Sequence, residues 1–472
     1  MSKGYLQKPL VFTFVFLLFF LILSAQEKNL TSDQLLAHDI FKELIEINTT
    51  HSTGNTTVAA EMIAKRLVDA GFVEKDVQVV GPEARNRNLV ARIHGTGKKP
   101  PILFLAHLDV VEARKEDWTY DPFVLTEKDG YFYGRGSLDV KSGVAIMVAN
   151  FIRLKREGYK PDRDLILALT AGEESGGEYD GAEWLVNKQR QLIEAEFCVN
   201  MDAGEPQRKN GRRLIRPLQI SEKGIFYMSF EVKNPGGHSS QPSKENAIYR
   251  LADGLVRMEA YDFPVQFSET TKSYFATMSS FENGTLAEDM KAVSGNFPDS
   301  NAVNRLAKLP YYNAMMRTTC VATIVEAGHA INALPQSARA TINCRLLPGA
   351  TEAEVVKKIR EVLDDSLIVV SVTVPLINGS VSPLTPEISQ TVERVTHQLW
   401  PGIPVLPVLG VGASDGKYLR AAGMPTYGIS GVFLDVDDFR MHGKDERIRV
   451  EDFYEGLKYQ YELIRAFSSG GR

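Results

Sequence analysis

The sequence predicts an α/β protein: a mixed, mostly parallel sheet sandwiched by helices, with a smaller α+β domain inserted into it. Three observations lead there. Apolar runs at 102–106, 165–170 and 197–201 have the length and composition of fully buried strands. Helical patterns alternate with these runs, which is the sequence mark of a parallel sheet covered on both faces. Past Gly224 the order changes to strand, helix, strand, strand, helix, strand, and the alternation resumes only after about residue 376.

The chain has 472 residues, 44% of them hydrophobic and 24% charged, which is globular composition with room for two domains. The net charge of −5 argues against a nucleic-acid surface. Lys3 and Lys8 precede an apolar run over 10–23, and Ser24-Ala25-Gln26 offers a small-residue cleavage point. This is a signal-peptide pattern over residues 1–25, too short for an ordinary membrane span. It predicts a secreted or periplasmic protein with no stable span after cleavage; an uncleaved membrane anchor is the alternative.

Helical periodicity covers 33–47 and 57–70, the second ending at Gly71. Strands are expected over 77–80 and 88–93, then the buried strand that stops on His107. A helix over 144–156 leads to the strand at 165–170, a helix at 182–190, and the strand at 197–201. The inserted domain, 223–375, shows strands at 225–232, 319–325, 338–346 and 368–374, with helices at 246–259 and 352–363. That order is the split pattern of a ferredoxin-like sandwich. Residues 261–316 sit inside it without a legible pattern. Helices at 387–399 and 451–467 and a strand at 425–429 return the chain to the large domain, which spans 30–222 and 376–468. Cys198, Cys320 and Cys344 have no metal-binding spacing; they are expected as small buried hydrophobes, with a Cys320–Cys344 bridge left open.

Chemistry-bearing residues gather at strand ends. His107 closes one buried strand, the Glu173/Glu174 pair follows the second, and Asp202 follows the third. Asp139 lies on the glycine-rich loop after Gly134-Arg135-Gly136, and His442 returns late in the chain. Each is weak alone, since an acidic pair after a strand is usually solvated. Together they fall where an open α/β sheet places its ligands. Two histidines and three carboxylates suit zinc, and cobalt or manganese would fit the same set. A shared carboxylate would bring two ions to about 3.5–4 Å. Asp109 is close enough to hold the far ring nitrogen of His107. Glu205 competes with Asp202, which is preferred because it directly follows its strand.

The sequence resembles the M20 family of metallopeptidases. The matching pieces, in the family's order, are Ala106-His107-Leu108-Asp109-Val110, Trp118-Thr119-Tyr120-Asp121-Pro122-Phe123, Tyr133-Gly134-Arg135-Gly136 with Asp139, and Ala171-Gly172-Glu173-Glu174-Ser175-Gly176-Gly177. Pro235-Gly236-Gly237-His238-Ser239-Ser240, Asn332-Ala333-Leu334-Pro335 and His442-Gly443-Lys444-Asp445-Glu446 complete the set. The resemblance implies two zinc ions bridged by Asp139, one completed by His107 and Asp202, the other by Glu174 and His442. It implies Glu173 as general base and Asp109 as the residue that orients His107. His238, from a lid domain, would donate to the oxyanion, across the interface in dimeric members. Asn332 and Arg345 stand where family members bind a substrate carboxylate, and the Asp139–Val140 peptide is expected to be cis.

The resulting expectation is an exported di-zinc hydrolase cutting a peptide bond beside a free carboxylate, as a carboxypeptidase or dipeptidase. An N-acyl-amino-acid amidohydrolase is the alternative. A non-catalytic binding protein on the same fold stands well behind, because every ligand and the base are present. The aromatic residues Tyr274, Phe275, Phe281 and Phe297 of the unpatterned segment are candidates for holding a fatty acyl group or for dimer packing.

Overall fold

The computed structural model describes residues 30–175, 179–377 and 379–469. The expected signal segment and Gly176-Gly177 lie outside them. The first described helix, α1 (Ser32–Glu46), starts at a capping box between Thr31 and Gln34 and buries Ala37, Ile40, Phe41, Leu44 and Ile45 along one face. Helix α2 (Thr56–Asp69) is capped by the Asn55 side chain and closes at Gly71, whose φ of 98° favours glycine. Strands β1 (Val77–Val80), β2 (Asn88–Ile93) and β3 (Ile102–His107) follow. Then come α3 (Lys141–Arg156), β4 (Leu165–Thr170), α4 (Gly181–Lys188), β5 (Phe197–Asn200) and β6 (Arg216–Glu222).

The inserted part opens with β7 (Gly224–Lys233) and α5 (Ala247–Glu259). The segment without a sequence pattern forms four short helices: α6 (Glu269–Met278), α7 (Gly284–Val293), α8 (Ser300–Leu306) and α9 (Pro310–Met316). Strands β8 (Thr319–Ala327) and β9 (Ser337–Leu346), helix α10 (Glu352–Leu363) and β10 (Val369–Ile377) complete it. The chain returns through α11 (Pro386–Leu399), β11 (Val405–Gly410), α12 (Gly416–Ala421), β12 (Thr426–Gly428) and the closing helix α13 (Val450–Ser468).

The large sheet has eight strands in the order β1-β2-β4-β3-β5-β12-β6-β11. Its centre, β4-β3-β5-β12, is parallel throughout. Every residue of β3 and β4 is buried, as expected where helices cover both faces. Helix α3 is buried from Lys141 to Ile152 and begins three residues before its apolar periodicity does. Parallel order puts the ends of β3, β4 and β5 at one edge, so His107, Glu173, Glu174 and Asp202 become neighbours. The smaller sheet is antiparallel in the order β8-β9-β7-β10, with α5 and α10 packed on its apolar face. This is the ferredoxin-like arrangement expected.

Two expectations change. Helices α6–α9 share their apolar core with Leu214, Ile215, Leu406 and Val408, so they pack on the outer edge of the large sheet and not on the lid sheet. An ion pair from Lys209 to Glu282 at 2.7 Å fastens them there. Tyr274 and Phe275 are buried in that core, and Phe281 is partly buried against it. Of the four aromatics named as acyl or dimer contacts, Phe297 alone is fully exposed. Secondly, Cys320 and Cys344 face each other across β8 and β9 and form a disulfide, while Cys198 is a free buried thiol. The bridge had been left open; cross-strand register decides it.

Candidate metal and catalytic centre

His107 is the last residue of β3. Its Nδ1 lies 2.9 Å from the backbone carbonyl of Asp109, an acceptor only, so Nδ1 carries the proton and Nε2 is the open ligand atom. Nε2 stands 3.0 Å from Asp139 Oδ1 and 3.5 Å from Asp202 Oδ1. The other oxygen of Asp139 meets His442 Nε2 at 2.9 Å, and that same nitrogen is 2.8 Å from Glu174 Oε1. Asp139 thus places one carboxylate oxygen on each histidine, the geometry of a bridging ligand. Glu173 lies on the same edge, with a carboxylate oxygen grouped with His107 and Glu174.

Asp109 stands at the far ring nitrogen of His107: its backbone carbonyl is the nearer contact, and its carboxylate Oδ1 lies 3.9 Å from Nδ1. The carboxylate accepts the backbone N–H groups of Gly172, at 2.8 Å, and Glu174, at 2.9 Å, with Glu173 at 3.3 Å. Asp109 therefore shapes the loop that carries both glutamates. Asp202, not Glu205, faces His107.

Glu446 has no role in the sequence reading, yet it builds the loop under Asp139. Fully buried, it takes Arg135 Nη1 at 2.6 Å and the N–H groups of Gly136, Leu138 and Asp139 at 3.2, 2.7 and 3.1 Å. Arg135 lies over the Trp118 ring and also donates to the carbonyl of Gly443 at 3.0 Å. Asp445 receives the Thr119 N–H and hydroxyl at 2.7 and 2.9 Å. These contacts pin the 442–446 loop, where His442 has a φ of 60°, a conformation a non-glycine residue adopts at some cost. The Asp139–Val140 peptide is cis, as the resemblance implied.

The electrostatics fit a cation site. Burial would lower the His107 pKa, but the facing Asp202 and Asp139 carboxylates hold it well above its ordinary value. Hydrogen bonds to the Asp139 and Glu174 carboxylates raise His442 to about 10. Burial pushes Asp202 up to about 8 and Glu173 well above the carboxylate range. Four carboxylates and two imidazoles converge, and the acids can ionise together only beside concentrated positive charge. That donor set fits divalent metal ions, with His107, Asp139 and Asp202 on one side and Asp139, Glu174 and His442 on the other.

The lid residues are carried by the inserted segment, on elements other than those that hold this cluster. The short strand Gly237–His238 pairs with Ala333–Leu334, and the Ser239 N–H donates to the Asn332 carbonyl at 3.1 Å. His238 and Asn332 are therefore brought together on one exposed tip, with His238 Nδ1 2.7 Å from Ser240 Oγ. Arg345, on β9, is half-buried with Nη1 enclosed and unpartnered among the described residues. His238 belongs to none of the candidate metal-binding groups among the described residues. Lys417, also unremarked in the sequence, places Nζ 3.7 Å from Glu173 Oε1. Arg135 stood in one of the matching sequence pieces without a partner, and Lys417 had no signal in the sequence beyond its charge.

The chain matches the model of peptidase family M20/M25/M40 over residues 103–466 and belongs to that family. It is 28% identical over 444 residues to the human N-fatty-acyl-amino acid synthase/hydrolase PM20D1, covering 87% of this chain and 83% of that protein. A probable carboxypeptidase S-like 2 of Dictyostelium discoideum is 28% identical, covering 77% of this chain and 71% of its own. The crystal structure of an M20 family metallo-carboxypeptidase, Sso-CP2 from Sulfolobus solfataricus, superposes with a TM-score of 0.70 at 17% identity, covering 93% and 99% of the two chains. The protein is a hydrolase of the M20 type, with the α/β catalytic and lid architecture of that family.

Proposed function

We propose that this protein is an exported di-zinc amidohydrolase that cleaves the amide bond of N-acyl amino acids, long-chain ones included. The observation that carries the metal chemistry is Asp139, with one oxygen on His107 and the other on His442. The acyl-amino-acid class rests on the activity named for the human relative. This reverses the order in which the sequence alone ranked peptidase and aminoacylase. Export rests on the apolar run over 10–23, and the Cys320–Cys344 bridge suits an oxidising compartment.

Bound metal ions would supply Lewis acidity, lowering the pKa of a water molecule and polarising the scissile carbonyl. Glu173 takes the proton from the attacking water and returns it to the leaving amine nitrogen as the C–N bond breaks. The products are a carboxylic acid and a free amino acid. Asp109 keeps Glu173 and Glu174 at the metal edge through their backbone N–H groups. His238 donates to the developing oxyanion, and Asn332 and Arg345 receive the amino-acid carboxylate when the lid closes or a second subunit supplies its tip.

A carboxypeptidase or dipeptidase reading is second, favoured by the carboxypeptidase S-like relative. Zinc-loaded mature protein, incubated with N-acyl amino acids of rising chain length, dipeptides and longer peptides, separates the two by mass spectrometry. Loss of long-chain acyl amino acids is expected, and Glu173→Ala should lower kcat by about 10³-fold while retaining the metal. Loss of dipeptides or C-terminal residues alone would replace the first reading with the second.

A further inference from the structure

Beside the Glu173 carboxylate sits a buried lysine. We propose that Lys417 is a positioning residue for Glu173: clamped between that carboxylate and the helix-capping Asp180, it holds the base in its working orientation. The proposal rests on the reading of Glu173 as the general base.

Lys417 Nζ is 3.7 Å from Glu173 Oε1 and 3.5 Å from Asp180 Oδ2, and all three side chains are at most 12% exposed. Among the described residues, no side-chain hydrogen bond holds the Glu173 carboxylate, and Lys417 provides its one ion pair. A glutamate has freely turning side-chain bonds, and the negative charges of Glu174 and Asp202 act on this one. A cation beside it offsets that repulsion. With Oε1 directed at Lys417, the second oxygen is left for the water.

A clamp works only if its far jaw is fixed. Asp180 is the N-cap of α4, and its Oδ1 accepts the N–H groups of Ala182 and Glu183 at 2.9 and 3.1 Å. Its Oδ2 faces Lys417, with the Asp415 carboxyl also beside it. The lysine backbone is fixed as well. Its N–H donates to the Ser414 carbonyl at 3.0 Å. Ser414 is itself held by Glu222 Oε2, through both its N–H and its hydroxyl at 3.0 Å, and by Asn200 Nδ2 at 3.0 Å. Arg420 Nη1 closes the frame on Glu222 at 2.7 Å. Strands β5 and β6 and helix α12 thus anchor Lys417, while Glu173 hangs on a loop. The lysine carries a charge that three buried acids, Glu173, Asp180 and Asp415, hold in its protonated form.

The bland alternative is that Lys417 only neutralises Asp180 and Asp415 for folding. A double-mutant cycle separates the two. Lys417→Met should retain wild-type metal content and a KM within about threefold, with kcat lowered about 50-fold. Lys417→Arg should recover kcat to within about fivefold. In the Glu173→Ala background, Lys417→Met should cost less than about twofold more, because its effect passes through the missing base. Unchanged kcat in Lys417→Met, an undiminished loss in the Glu173→Ala background, or no rescue by arginine would each overturn the proposal. If Lys417→Met does not fold, Asp180→Asn, which keeps the helix cap and removes the fixed charge, should lower kcat about fivefold without moving KM; no effect there also overturns it.

The cycle is run on whichever of the acyl-amino-acid and peptide substrates the wild-type protein cleaves. Wild-type failure on every substrate sinks the functional reading and leaves Lys417 to a second readout. Zinc-soaked crystals of wild type and Lys417→Met should show the Glu173 carboxylate turned away from its place beside His107 and Glu174 in the variant. An unmoved carboxylate would overturn the clamp.

Discussion

Around Asp139, four donors from residues 135–139 converge on one buried carboxylate, Glu446, and the loop bearing His442 is tied to Thr119 and Arg135. Around His238, a two-residue ladder and a hydrogen bond to Ser240 hold an exposed tip. The difference follows from what each region handles. Like-charged carboxylates repel, so a cluster of them keeps its shape only if the surrounding backbone is fixed in advance. On the proposed role of His238, a donor that meets a substrate after it has entered needs the opposite, a tip held by few contacts.

The largest test of this contrast removes the bridge. Asp139→Ala should lower hydrolysis by about 10⁴-fold and, by elemental analysis, strip metal from both halves of the centre. Retention of full metal content would show that the two halves do not share a ligand. Next in size is the hidden support. Glu446→Ala leaves Arg135 buried without its partner and three N–H groups without their acceptor, and should destabilise the protein by about 4 kcal/mol in denaturant unfolding. A variant as stable as wild type would mean that the loop is held elsewhere.

Loss of the lid bridge should be milder. Cys320→Ser opens a disulfide that spans 24 residues of separation, and about 3 kcal/mol of stability should go with it, read as a lowered Tm that added reductant no longer changes. On the lid tip, His238→Ala should lower kcat about 10²-fold and leave both Tm and metal content at wild-type values. A fall in Tm there would place His238 among the structural residues and blunt the contrast between the two regions.

Much of this was legible in the chain order. The apolar runs ending on His107 and before Glu173 and Asp202 announced buried parallel strands, and such strands bring their ends to one edge whatever else the fold does. Strand-helix alternation, its interruption after Gly224, and the six-element order of the lid were equally open to reading. The helices at 269–316 were not, because they are short and bury their apolar residues against Leu406 and Val408, far further on in the chain.

Glu446 and Lys417 were invisible for a related reason. A charged side chain has the same sequence signature whether it is solvated or sealed beside Arg135 or Glu173, since its partner lies hundreds of residues away. Asp109 adds a subtler case: its position was legible, but which of its oxygens, backbone or carboxylate, reaches His107 depends on a turn only packing sets. The sequence by itself determined the ligand types, the strands that carry them and the order of the domains, because those follow from local periodicity and from residues at strand ends. Only the tertiary structure decided how Asp139 stands between His107 and His442, what supports the loop beneath it and which cation stands beside Glu173. Those depend on distances between atoms far apart in the chain, and no local pattern encodes them.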